Sequence, residues 1–236
     1  MDKDLKAALS EAFAAPHPQK KREFLKKYHR REISRLDFLL MQAGYIRWWI
    51  WGISVLLFCA SLWLASGQDT ETIWVSAALI PFLALLVVVE NGKSRLHGME
   101  EFELSCRMSL RTVFLARMII LGLFHLLLLG ILIPVIAAWG AVDILQVALY
   151  LLCPYLLTAT IGFEISCHIR GNEGLLACAT AAGLVCVLEW LIHSAWPKLY
   201  YAEAIPIWIG TLGLMIVASA VEFFKLMKTT EELKWN

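Results

Sequence analysis

The chain has 236 residues, of which 59% are apolar and only 17% charged, with ten tryptophans and a formal net charge of +1. Charged residues make up about a quarter of an ordinary soluble domain, so this balance excludes that class; the near-zero net charge says little by itself, because in a chain of this kind the distribution of charge carries the meaning. Lipid is the solvent that suits the composition.

The first 44 residues divide into parts. Residues 1–15 can form a short polar helix, Pro16 and Pro18 interrupt it, and KKREFLKKYHRR then gives a dense cationic run interleaved with Phe24, Leu25 and Tyr28. Ser34-Arg35-Leu36-Asp37 has capping-box spacing, and Ile33, Leu36, Leu40, Ala43 and Ile46 recur on one side of a helix. The pattern predicts an amphipathic helix lying in the headgroup layer, with its cations toward anionic lipid rather than nucleic acid. Trp48, Trp49 and Trp51 follow, at the depth that indole rings prefer.

Six apolar segments come next, at roughly 45–66, 73–90, 113–138, 143–165, 175–195 and 205–225. Each is near the ~20 residues that span the hydrocarbon core. Runs such as LLVVV and LLLLGILIPVI are apolar on all sides, without the period-two alternation of a barrel strand, and so predict helices. The expected fold is all-α: a basic tail and interfacial helix over 1–44, a six-helix membrane domain over 45–225 and a tail over 226–236. A polar insert, 91–112, joins the second and third spans.

Cations set the expected orientation. Residues 1–47 hold eleven of the twenty-one, the insert region holds Lys93, Arg95, Arg107 and Arg111, and Lys225, Lys228 and Lys234 close the chain. The opposite side has only Lys198. Both termini are therefore expected in the cytosol, with short outer connections at Gly67–Thr72, Trp139–Val142 and Trp196–Ala204. No cleavable leader is expected, and the first span acts as an uncleaved anchor. Cys59, Cys106, Cys153, Cys167, Cys178 and Cys186 lack C-x-x-C spacing and fall in spans or on the cytosolic side, which argues against disulfides and structural zinc.

Ionisable residues within spans are candidate functional groups. Glu90, Glu164 and Glu222 lie near cytosolic span ends and are expected to pair there. Glu189 and His193 share a face of the fifth span and His125 lies deep in the third. All three are candidates for helix-to-helix hydrogen bonds or for lining a hydrated cavity. Pro81, Pro134, Pro154 and Pro206 mark points where helices can bend. Gly210, Gly213, Ala218 and Ala220 give the sixth span a small-residue face suited to close packing.

Catalytic patterns are missing from the sequence. Gly92-Lys93-Ser94 resembles the end of a phosphate-binding loop, yet Val87 stands where that loop needs its earlier glycine. No H-E-x-x-H or G-x-S-x-G occurs. The chain is expected not to be an enzyme and to hold no metal, so a partner must supply energy for any work it does.

The segment Gly98–Arg117, GMEEFELSCRMSLRTVFLAR, carries the most specific signal. Ser109-Leu110-Arg111-Thr112-Val113-Phe114-Leu115-Ala116-Arg117 resembles the stretch after the coupling helix in permease subunits of ATP-binding-cassette exporters of the second type, and Glu101 and Glu103 match that helix's acidic start. Arg107-Met108 stands where the family often has Pro-Val. The order of elements is similar over the whole chain, and FEISCHIRGNEG, 163–174, resembles the family's second cytosolic loop.

The resemblance implies a separate cytosolic ATPase that binds ATP and magnesium and docks on Gly98, Glu100, Glu101, Phe102, Glu103, Leu104, Arg107, Met108, Ser109 and Arg111. His168, Arg170 and Glu173 form the second contact. It also implies a second permease subunit, identical or related, and a lipid, hydrophobic peptide or amphiphilic drug-like molecule as cargo, in the cell membrane. Two other classes stay open at this level. One is a non-transporting scaffold that anchors a cytosolic partner; the other is a secondary carrier that depends on Glu189, His193 or His125.

Overall fold

The computed structural model describes residues 34–66, 73–96, 110–140, 142–169 and 171–232. The chain divides into two units, Met1–Asp37 and Phe38–Asn236; of the first, the described part is the start of one helix. Among the described residues seven α-helices follow in order: α1 Arg35–Tyr45, α2 Trp48–Ala65, α3 Ile73–Leu96, α4 Leu110–Gly140, α5 Ile144–His168, α6 Asn172–Ala195 and α7 Ile205–Glu232. All but α1 are long and apolar enough to cross a membrane. This is the architecture of a multi-pass membrane protein, and the all-helical, six-span expectation holds.

The helices form because a chain surrounded by hydrocarbon must satisfy its own backbone groups. They continue through Pro81, Pro134 and Pro154, while Pro206 sits in the first turn of α7, where a missing N–H costs little. α1 begins directly after Ser34, and Asp37 is in its first turn. Leu36, Leu40 and Met41 on α1 are exposed. Ile46 departs from its expected place on that helix. The chain breaks at Ile46 and Arg47, and Ile46 turns inward to pack with Ile50, Val87 and Leu121.

The bundle is centred on α3 and α5. In α3 61% of the membrane-length stretch is buried, against 6% in α7, so α3 is a core helix and α7 a peripheral one packed mainly on α5. The α3–α5 crossing is tight because Gly162 leaves room for Val88: a Cβ on Gly162 would lie 2.7 Å from Val88 Cγ2. Gly210 and Gly213, expected to give α7 a packing face, have nothing within 4 Å of where a Cβ would stand. One core cluster, with Ile80, Leu132, Val147, Tyr150 and Trp208, fills the end of the bundle where α6 passes into α7. A smaller one, with Val88, Phe163, Cys178 and Leu226, lies toward the end where α5 turns into α6.

Candidate functional site

The docking residues Gly98, Glu100, Glu101, Phe102, Glu103, Leu104, Arg107, Met108 and Ser109 lie outside the described residues, as does Arg170. Arg111 is in the first turn of α4. The stretch 163–174 is mostly helix rather than loop: His168 is the last residue of α5 and Glu173 is in the first turn of α6. A turn this short works because Gly171 takes a positive φ of 79°. Gly174 lets the returning helix start close by, since a Cβ there would meet the Ile169 carbonyl oxygen at 2.8 Å.

At this end the end of α3, the start of α4, the end of α5 and the end of α7 converge. Val88, Asn91, Gly92, Phe114, Phe163, Ser166 and Leu226 line a shallow cleft between them. Glu222 and Glu164 pair as expected: Lys225 Nζ donates to Glu222 Oε1 at 2.6 Å and lies 3.8 Å from Glu164 Oε2. His168 Nδ1 is 3.6 Å from Glu164 Oε1. Glu90 is buried, 3% exposed, although its sequence position suggested a water-accessible helix end.

In mid-bundle, His125 is fully buried and joins three helices. Its Nε2 is 3.1 Å from Ser54 Oγ on α2, and its Nδ1 is 3.4 Å from Tyr155 Oη on α5. Both ring nitrogens thus face hydroxyls, which can donate or accept and so suit either tautomer. His125 ties helices together by hydrogen bonds.

At the α6–α7 end the connection folds into the bundle. Residues Pro197–Tyr200 and Ala202–Ala204 form two 3-10 turns. They drive Tyr200 inward, where its hydroxyl donates to Glu189 Oε2 at 2.8 Å. Burial first, and then the neighbouring Glu189 carboxylate, push the Tyr200 phenol far above its ordinary range, so Tyr200 remains the donor. Gln146 Nε2 donates to the Tyr200 carbonyl and to Tyr150 Oη, both at 2.9 Å. Trp208 Nε1 donates to the Leu199 carbonyl at 2.8 Å. The Tyr200 ring packs 5.0 Å from Tyr150, 5.3 Å from His193 and 5.8 Å from Trp208, and His193 stacks on Trp74 at 4.8 Å. Glu189 and His193, paired by their spacing, do meet at one site.

Tyr200, Tyr150, Gln146 and Trp208 at this site, and Ser54 and Tyr155 around His125, were not singled out from sequence. A run of aromatic and amide residues near a span end is the one available signal, and interfacial anchoring explains it equally well. Among the described residues no group of three or more His, Cys, Asp or Glu is arranged to hold a metal. None of the known protein families, curated proteins or solved structures compared with the chain matches it.

Proposed function

We propose that the chain is the membrane-spanning permease subunit of an ATP-binding-cassette exporter of the second type, driven by a separate cytosolic ATPase. The observation that carries this reading is convergence at one end of the bundle. The segment between α3 and α4, which bears the coupling motif, is rooted in helices that share the Val88–Phe163–Leu226 cleft with the ends of α5 and α7. The α5–α6 turn lies at that same end. Both regions that the family resemblance assigns to ATPase contact therefore connect to the most buried helices of the domain, α3 and α5. A push on the 98–109 segment would act on the core of the bundle.

On this reading the end carrying the 98–109 segment and both termini face the cytosol of a cell membrane. The partner binds ATP and magnesium, and its dimerisation moves two permease subunits. Six spans enclose half a route, so a second permease, identical or related, completes it. An apolar, tryptophan-rich domain suits lipid, hydrophobic peptide or amphiphilic cargo better than inorganic ions. Phe102, Leu104 and Met108 would supply contact energy to the ATPase, and the acids and arginines around them would fix register.

The test is purification of the tagged full-length chain in mild detergent from its native host, with ATPase activity measured on what co-purifies. A stoichiometric ATPase is expected, and Glu103→Lys is expected to uncouple its hydrolysis from transport while leaving membrane insertion intact. A preparation without an ATPase, or a Glu103→Lys chain with full association and transport, overturns the proposal.

A further inference from the structure

We infer that the α6–α7 end contains a binding site for an organic cation, an amine or quaternary ammonium on an apolar body, and that Tyr200 occupies that site as a built-in plug. The inference rests on this site's geometry and holds whether or not an ATPase drives the chain.

The first observation is a buried acid with no cation paired to it among the described residues. Glu189 is 4% exposed, and its carboxylate accepts from the neutral Tyr200 hydroxyl at 2.8 Å. A carboxylate held in an apolar interior is stabilised most by a cation, and none of the ion pairs seen among the described residues involves Glu189. Lys198, two residues from Tyr200, is exposed. The site places an acid where a cation would find a partner, and no cation stands beside it among the described residues.

The second observation is the company Glu189 keeps. The Tyr200 ring, whose hydroxyl reaches the Glu189 carboxylate, is walled by rings: Tyr150, Trp208 and His193 lie 5.0, 5.8 and 5.3 Å from it, and Trp74 backs His193 at 4.8 Å. Aromatic faces around one acid are the arrangement that recognises an ammonium group, through the ring quadrupole and the charge together. A metal ion is a poor fit, because a lone carboxylate lacks the further oxygen or nitrogen ligands a cation such as calcium or zinc requires. His193 Nδ1 is also buried without a hydrogen-bond partner among the described residues, so the box has an unused polar position.

The third observation is the origin of the plug. Tyr200 comes from a short connection whose Trp196, Pro197, Lys198 and Tyr201 are exposed, rather than from a long helix. Its hold on the site consists of the bond to Glu189, the Gln146 bond to its carbonyl at 2.9 Å and the ring contacts. A ligand that carries both a cationic head and an aromatic body reproduces what the Tyr200 side chain provides and adds the missing charge.

The experiment is calorimetric titration of the purified full-length chain in detergent with benzyltrimethylammonium, compared with neopentylbenzene, its neutral isostere. Wild type is expected to bind the cation saturably and the neutral compound only by partition into the micelle. Glu189→Gln is expected to lose the saturable component. Tyr200→Phe keeps the ring but removes the hydroxyl that competes for the carboxylate, and is expected to bind the cation ~10-fold more tightly; Tyr200→Ala, which also opens the space, is expected to gain more. Equal behaviour of the two compounds overturns the proposal. So does saturable binding that survives Glu189→Gln, or an affinity unchanged in Tyr200→Phe, a variant mild enough to fold.

Discussion

Apart from the buried Glu90 and Asn91, the two ends of the bundle handle polar groups in opposite ways. At the α6–α7 end Gln146 and Glu189 are buried, and their partners are neutral hydroxyls and a carbonyl enclosed by aromatic rings. At the α5–α6 end the Glu164, His168 and Lys225 side chains are 44%, 70% and 55% exposed, and Lys225 pairs with Glu222 and approaches Glu164. Buried polar groups must be matched bond for bond, which fixes one geometry. Water-accessible ion pairs tolerate several. With Tyr200 in place the first end is therefore held in one geometry, while the second is held by charges that water can reach.

The largest effect that can break this comparison comes from the rigid end. Trp208→Ala removes a buried ring packed 5.0 Å from Tyr150 and the indole N–H that holds the Leu199 carbonyl. A loss of about 3–5 kcal/mol is expected, the range for deleting a large buried aromatic, measured by denaturant unfolding in detergent micelles. A loss below about 1 kcal/mol, the scale of a single hydrogen bond, would mean that the Trp196–Ala204 connection is held by something other than this cluster.

Much of the bundle was legible in the sequence because lipid imposes a simple rule: a long run apolar on every side becomes a helix that satisfies its own backbone. The six spans follow from that rule. The helix ends were less legible. Hydropathy marks where lipid stops, not where hydrogen bonding stops, so α3 runs on to Leu96 and α7 to Glu232 through polar residues. The aromatic site was half legible. Helical spacing puts Glu189 and His193 on one face, but Tyr200 joins them through two 3-10 turns in a stretch that reads as a plain outer connection. Glycines show the same limit. Gly210 and Gly213 form a recognisable small-residue pattern yet stand open, while Gly162, which has no pattern around it, makes the close crossing. Which glycine matters depends on what lies opposite it, and that is a tertiary fact.

A smaller effect sharpens the comparison between the ends by testing the wall that joins them. Gly162→Ala places a methyl 2.7 Å from Val88 Cγ2 on α3, and overpacking of this kind costs about 1–3 kcal/mol. Adding Val88→Ala opens the space again, so the double variant is expected to recover much of the loss; the non-additivity is read from a double-mutant cycle in detergent. A pair that behaves additively would show that α3 and α5 separate readily at this point. The two ends would then move independently, and a push at the α5–α6 end would not reach the aromatic site.

The smallest effect is expected at the water-accessible end itself. Lys225→Met removes the 2.6 Å bond to Glu222 and the 3.8 Å approach to Glu164, but more than half of the Lys225 side chain is exposed, where salt and water compete for the same charges. The melting temperature of Lys225→Met is expected to lie slightly below that of wild type at low salt and to converge with it as salt is raised. A loss as large as that of Trp208→Ala and indifferent to salt would reverse the assignment, because Lys225 would then be acting as a buried structural cation and this end would be as rigid as the other. Convergence at high salt keeps the contrast: one end fixed by enclosure, the other held by charges that salt and water can loosen at little cost.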